Sequence, residues 1–118
     1  MRLMLISALF GVIGYTQGWP GYLLDARCYA SQEENVNHTQ NGTDRNVGFE
    51  ISFCHPTAKT RSFVFIQQDG SPFYLDSAGD AKAAELVRAN VREARGLVAL
   101  TGTKIERTIH VTSISSRR

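Results

Sequence analysis

Residues 62–80 read SFVFIQQDGSPFYLDSAGD, and this stretch decides the fold. Ser62 to Gln68 is a continuous run of β-forming residues, the pattern of a central strand. Asp69-Gly70 follows directly, a pair that tolerates the positive dihedrals of a tight turn, and Phe73-Tyr74-Leu75 supplies the second strand of a hairpin. Ser77-Ala78-Gly79-Asp80 then carries helix-start residues, with Asp80 read as the helix cap and Asp76 as the strand terminator.

Toward the C terminus, Ala83, Leu86, Val87, Asn90, Val91 and Ala94 recur at three- and four-residue spacing, which predicts one amphipathic helix over 80–95 ending at Gly96. Leu97 to Ile105 and Thr108 to Ile114 form a second hairpin around Glu106-Arg107, a turn without glycine, and Gly102 marks a bend in its first strand. His110 alternates with Ile109 and Val111, so it faces away from the core. Residues 115–118 form a polar tail.

Toward the N terminus, His55-Pro56 interrupts the strand pattern, and before it Phe49, Ile51 and Phe53 alternate with Glu50, Ser52 and Cys54 as in a half-buried strand. Ser31 to Asn46 is almost wholly polar with an Asn41-Gly42 turn signal, and reads as a surface loop. Asn37-His38-Thr39 and Asn41-Gly42-Thr43 both fit the glycosylation acceptor pattern. Trp19 to Tyr29 reads as the first strand. Ahead of it, Arg2, the apolar run from Leu3 to Tyr15 and the small residues of Thr16-Gln17-Gly18 compose a signal peptide over 1–18, cut before Trp19. The apolar run is roughly thirteen residues, short of the about twenty that span a bilayer, so no stable membrane insertion is expected after cleavage.

These pieces make one domain over 19–114, mostly β with one helix. A helix between the third and fourth principal strands is the wiring of a small OB-like five-stranded barrel, and an open sheet with one packed helix is the alternative. The chain has 118 residues with 13 basic and 11 acidic side chains, a balance too even for a surface that tracks nucleic acid.

Trp19-x-Gly21, Asp25-x-x-Cys28, His38, Cys54, the Phe63-Val64-Phe65 run, Thr101-Gly102-Thr103 and Ile109-x-Val111-x-Ser113-Ile114 together resemble a family of short exported bacterial proteins of uncharacterised function with an OB-like fold. The resemblance implies a periplasmic or secreted product and no particular activity. The chain departs from that pattern in a longer loop and in fewer cysteines around Cys54, where His55 stands.

Two cysteines in an oxidising compartment point to a structural disulfide between Cys28 and Cys54 that pins the base of the polar loop. The alternative is a metal or thiol site built from Cys28, His38, Cys54 and His55, ligands that zinc or copper accepts. No nucleophile-elbow or calcium-loop spacing is complete, and no cofactor is expected. Tyr22, Tyr29 and Tyr74 are the candidate stacking rings, and compartment favours oligosaccharide over nucleic acid. The function that follows is a non-catalytic binding or envelope-stability module with an unidentified envelope ligand or protein partner, the alternative being a small metal-binding or thiol-based enzyme.

Overall fold

The computed structural model describes residues 17–39 and 51–116, with side chains described outside residues 33–39. Five strands, β1 (Gln17–Asp25), β2 (Phe63–Gln67), β3 (Pro72–Leu75), β4 (Val98–Ile105) and β5 (Thr108–Ser116), close into a barrel in the order β1-β2-β3-β5-β4. β1 is antiparallel to both β2 and β4, and β3 runs parallel to β5 through Tyr74↔Thr108 and Leu75↔Ile109. The OB-like barrel expected from the sequence is therefore present, with its helix between β3 and β4.

The hairpin at 62–80 forms as read. Gly70 takes φ 93°, Gly70 N–H donates to Gln67 O and Gln67 N–H to Ser71 O, and Asp69 Oδ1 accepts from Ser71 N–H at 2.9 Å. That last bond, from the Ser71 backbone, holds the Asp69 carboxyl below its ordinary value.

The helix after the hairpin differs in detail from the expectation. α2 spans Ser77–Ala89 and a short α3 spans Val91–Ala94, because Asn90 adopts φ −160° and ψ 94°, ending one helix and capping the next through its side chain to Glu93 N–H. Asp76, not Asp80, is the N-cap of α2: its Oδ1 accepts from Gly79 N–H at 2.9 Å. Asp80 lies in the first turn and accepts from Phe63 N–H at 2.9 Å, tying α2 to the start of β2.

Two corrections fall before β2. The segment expected as strand end and polar loop is helical, α1 (Ala26–Thr39), so the first strand stops at Asp25 rather than Tyr29 and the fold has more than one helix. Asp25 imposes that change by accepting from Arg27 N–H and Cys28 N–H, each at 3.0 Å, which caps the helix. The Phe49–Phe53 strand is absent as well: residues 51–53 form a helical turn, and Phe49 and Glu50 lie outside the described residues. A backbone bond from Asp25 N–H to Cys54 O holds that turn against the end of β1, so tertiary pairing overrides a short alternating pattern. The signal segment up to Thr16, residues 40–46 of the loop with Asn41, and the two C-terminal arginines also lie outside the described residues.

Apolar side chains divide into two clusters. Leu23, Phe63, Phe65, Val98, Leu100, Ile109 and Val111 fill the lumen with Ala83, Val87 and Ala94 from α2 and α3, which close one end. Gly21 makes room in that wall, since a β-carbon there would strike the Ile66 carbonyl and the Phe65 ring. At Gly102 the strand steps out of register at the Thr101/Gly102 junction, and a β-carbon would run into the His110 carbonyl, which accounts for the glycine at the bend. The second cluster, Leu24, Ala26, Tyr29, Cys54, Val64 and Ile66, lies outside the barrel under α1.

Candidate functional site

Partners in a β ladder project to the same side of the sheet, so the register locates every side chain relative to the lumen. Leu23, Phe65 and Phe73 point inward in one row. The outward row one residue along is Leu24↔Val64↔Tyr74↔Thr108↔Ile105. It crosses four strand boundaries of the barrel wall. Leu24 and Val64 are sealed beneath α1, whereas Tyr74 is 47% and Ile105 is 53% exposed. Phe53, 57% exposed, precedes Cys54, which packs on Val64 in the covered half of the row. Phe53, Tyr74 and Ile105 are the large exposed apolar side chains among the described residues, and Tyr74 and Ile105 belong to this row.

α1 fixes where the open half begins. Cys28 and Cys54 form a disulfide with their Cα atoms 5.5 Å apart, as the sequence predicted. Asp25 ties three segments together: its Oδ1 caps α1, its Oδ2 accepts from Thr60 Oγ1 at 2.8 Å, and its N–H donates to Cys54 O. In OB barrels the strand 2–3 face and the loops joining strands 1–2 and 4–5 receive ligands. Here α1 and its disulfide, which are the strand 1–2 connection, cover the β1–β2 half and bound the row on one side. The Glu106-Arg107 turn bounds it on the other.

The predicted tyrosines separate by this geometry. Tyr74 presents its ring on the open half. Tyr22 pairs with Ile66 on the adjacent outward row and is half-buried. Tyr29 is 5% exposed inside the cluster under α1 and offers no ring face to a ligand, because it lies on a helix rather than a strand. Of the alternative metal set, Cys28 and Cys54 are joined to each other and so are not thiolates. His55 keeps a buried Nδ1 with no hydrogen-bond partner, and the His38 side chain lies outside the described ones. Among the described residues no three His, Cys, Asp or Glu side chains gather as a metal cluster. His110 is exposed, as its alternation predicts, with Nδ1 3.6 Å from Asp76 Oδ2.

Sequence reasoning missed Phe53 and Ile105. The signal for Ile105 is its phase: Leu100, Gly102 and Lys104 take the lumen side of β4, leaving Ile105 outward beside the turn. Lys104 was also unforeseen at a lumen position. Its Nζ lies 4.4 Å from the centroids of both Trp19 and Phe73 and donates to Gln67 Oε1, all inward-phase side chains. Ring faces are electron-rich, so Trp19 and Phe73 stabilise this ammonium in an apolar wall by about 0.5 to 2 kcal/mol. A recess of about 180 Å³ adjoins it, lined by Gln17, Trp19 and residues 102–104.

Asp80 has a carboxyl raised above its ordinary value, by burial first and by neighbouring Asp76, against the lowering effect of Phe63 N–H. No helix among the described residues is long and apolar enough to cross a membrane. Compared with protein-family models, with curated proteins and with solved structures, the chain matches none.

Proposed function

We propose that this protein is an exported, non-catalytic binding or envelope-stability module whose binding surface is the open half of the outer face, with Tyr74 as the stacking ring and an oligosaccharide as the ligand. The observation that carries the reading is the exposure of Tyr74 and Ile105 in one outward row of a closed barrel. Scattered single apolar residues are ordinary on a surface, but exposed apolar groups gathered between two loops mark a place of contact. Tyrosine combines a flat ring for a sugar's C–H face with a hydroxyl for its O–H groups. The Cys28–Cys54 bond supports an oxidising compartment, and the N-terminal apolar segment supports export to the periplasm or medium. The near-even charge supports a partner other than nucleic acid. No cofactor enters this reading.

Titration with a panel of neutral oligosaccharides, followed by tyrosine ring resonances, tests it. Tyr74→Ala should weaken a bound oligosaccharide by about 1 to 3 kcal/mol, roughly fivefold to 150-fold, with unchanged thermal unfolding. Equal affinity in the variant would remove the face from consideration.

A further inference from the structure

A groove of about 1010 Å³ lies between the segment leading into β2 and the outer side of α2. Lys59 and Arg61 line it from the segment, Lys82 and Arg88 from the helix. Among the described residues none of these four side chains pairs with a carboxylate. Two acidic residues, Asp80 and Glu85, also line the groove. Asp80 is also held by Phe63 N–H, and the lining carries four cations against two carboxylates. The alanines of α2, Ala81 and Ala84 among them, make the floor low and keep the charged ends accessible.

The cationic segment is held in place before any ligand arrives. Thr57 N–H donates to Thr60 Oγ1, Thr60 N–H returns to Thr57 O, and Thr60 Oγ1 donates to Asp25 Oδ2. Ala26 N–H donates to Ser62 O just beyond it. A rim ordered in advance loses less entropy on binding.

The lining also selects the class of anion. No aromatic side chain lines the groove, so it lacks the stacking platform on which single-stranded nucleic acid is bound. A peptide has neither a strand edge to extend here, because none of the lining residues belongs to a strand, nor an apolar pocket for an anchor, because the apolar lining is alanine. Cations on both walls of an open channel suit a chain that carries acidic groups at intervals and needs no anchor. We propose that this groove binds a linear acidic polysaccharide, whose carboxylate or sulfate groups pair with Lys59, Arg61, Lys82 and Arg88. The site shares no residue with the Tyr74 face and stands whether or not that face binds a neutral sugar.

The test is fluorescence anisotropy with labelled oligogalacturonate and a heparin oligosaccharide at low and moderate salt. Wild-type protein should bind, with affinity falling as salt rises. Arg61→Glu with Arg88→Glu should lower affinity at least about tenfold, and the milder Arg61→Gln with Arg88→Gln should lower it in the same direction. Arg92→Glu with Arg95→Glu makes the same change in net charge on exposed residues outside the groove, and should lower affinity less than about threefold. Thermal unfolding of each variant reports whether it folds, and the glutamine pair serves if the reversal pair does not. Tyr74→Ala should leave anisotropy unchanged. Equal losses in the two reversal pairs, no binding of either polysaccharide by the wild type, or tighter binding of oligothymidylate or polyglutamate would overturn the proposal.

Discussion

Among the described residues, Glu106 is the one whose backbone carries an identifiable cost. It holds φ 59° in the turn between β4 and β5, a left-handed conformation that crowds the β-carbon of any L residue. Glu106→Gly should therefore stabilise the fold by about 0.5 to 1 kcal/mol after the entropy of the unfolded glycine is counted, read as a higher urea midpoint. A lower midpoint would mean that the glutamate side chain contributes more than its backbone costs. The sequence placed this turn correctly, yet it lacked the glycine that would have announced a positive dihedral, in contrast to Gly70 at φ 93° in the other hairpin.

Asp80 offers a second residue-level prediction, in its pH dependence. Its folded carboxyl titrates above the ordinary value of 3.8, so between the two values the native state binds more protons than the unfolded state. Stability contributed by this group is then greatest below the ordinary value, falls as pH rises through the window, and stays level above the folded value. Asp80→Asn retains an oxygen for Phe63 N–H while removing the charge, and should flatten that fall and raise stability at neutral pH. Urea midpoints measured from about pH 3 to 7 decide it, and an unchanged slope in the variant would assign the fall to other groups.

Among the elements, α1 shows where legibility ended. Its sequence from Ser31 onward is rich in Asn, Gln and Glu, with little apolar periodicity to betray a helix. What holds its first turn is instead a cap at Asp25, two buried contacts from Ala26 and Tyr29, and the bond from Cys28. The cap was visible in the sequence, but Asp25 also suited a strand end, and only the three-segment connections distinguish the roles. The disulfide was legible because a cysteine count of two in a chain read as exported leaves few choices, whereas the helical turn at 51–53 depends on pairing with distant residues. Cys28→Ser with Cys54→Ser opens a link across 26 positions and should cost roughly 3 to 4 kcal/mol in denaturant unfolding. A loss under about 1 kcal/mol would show that Asp25 and its partners hold the segment unaided. In α2, Val87 is buried in the lumen cluster, so Val87→Pro should remove a mid-helix bond, displace the packed face, and cost at least about 3 kcal/mol. Native-like thermal unfolding of that variant would contradict the packing described for α2.

At the scale of the whole molecule, the barrel wiring could be read because each strand is bounded by turn residues or a helix start, and a helical segment, now α2 and α3, separates two hairpins. Which face stays open could not, since it depends on α1 lying over Leu24, Val64 and Ile66. The N-terminal boundary has a structural aspect too: β1 begins at Gln17, and Gln17 and Gly18 pair with Gly102 and Thr101. Processing before Trp19 would trim those two ladder positions and leave the pairs from Trp19 onward. N-terminal sequencing of exported protein is expected to give Trp19, and a start at or before Gln17 would show that the complete β1 is retained.

The parallel pairing of β3 with β5 spans only Tyr74↔Thr108 and Leu75↔Ile109, the shortest join in the barrel wall. Its backbone bonds include Tyr74 N–H to Arg107 O and Asp76 N–H to Ile109 O. A cylinder opens first along its narrowest weld, so these amides should exchange with deuterated solvent sooner than those where β1 meets β2. Tyr74 stands on one lip of that weld, Thr108 and Ile105 on the other. A molecule lying across the row would act as a clasp, and its arrival would be legible as slowed exchange at Tyr74 and Asp76 even where it touches neither amide.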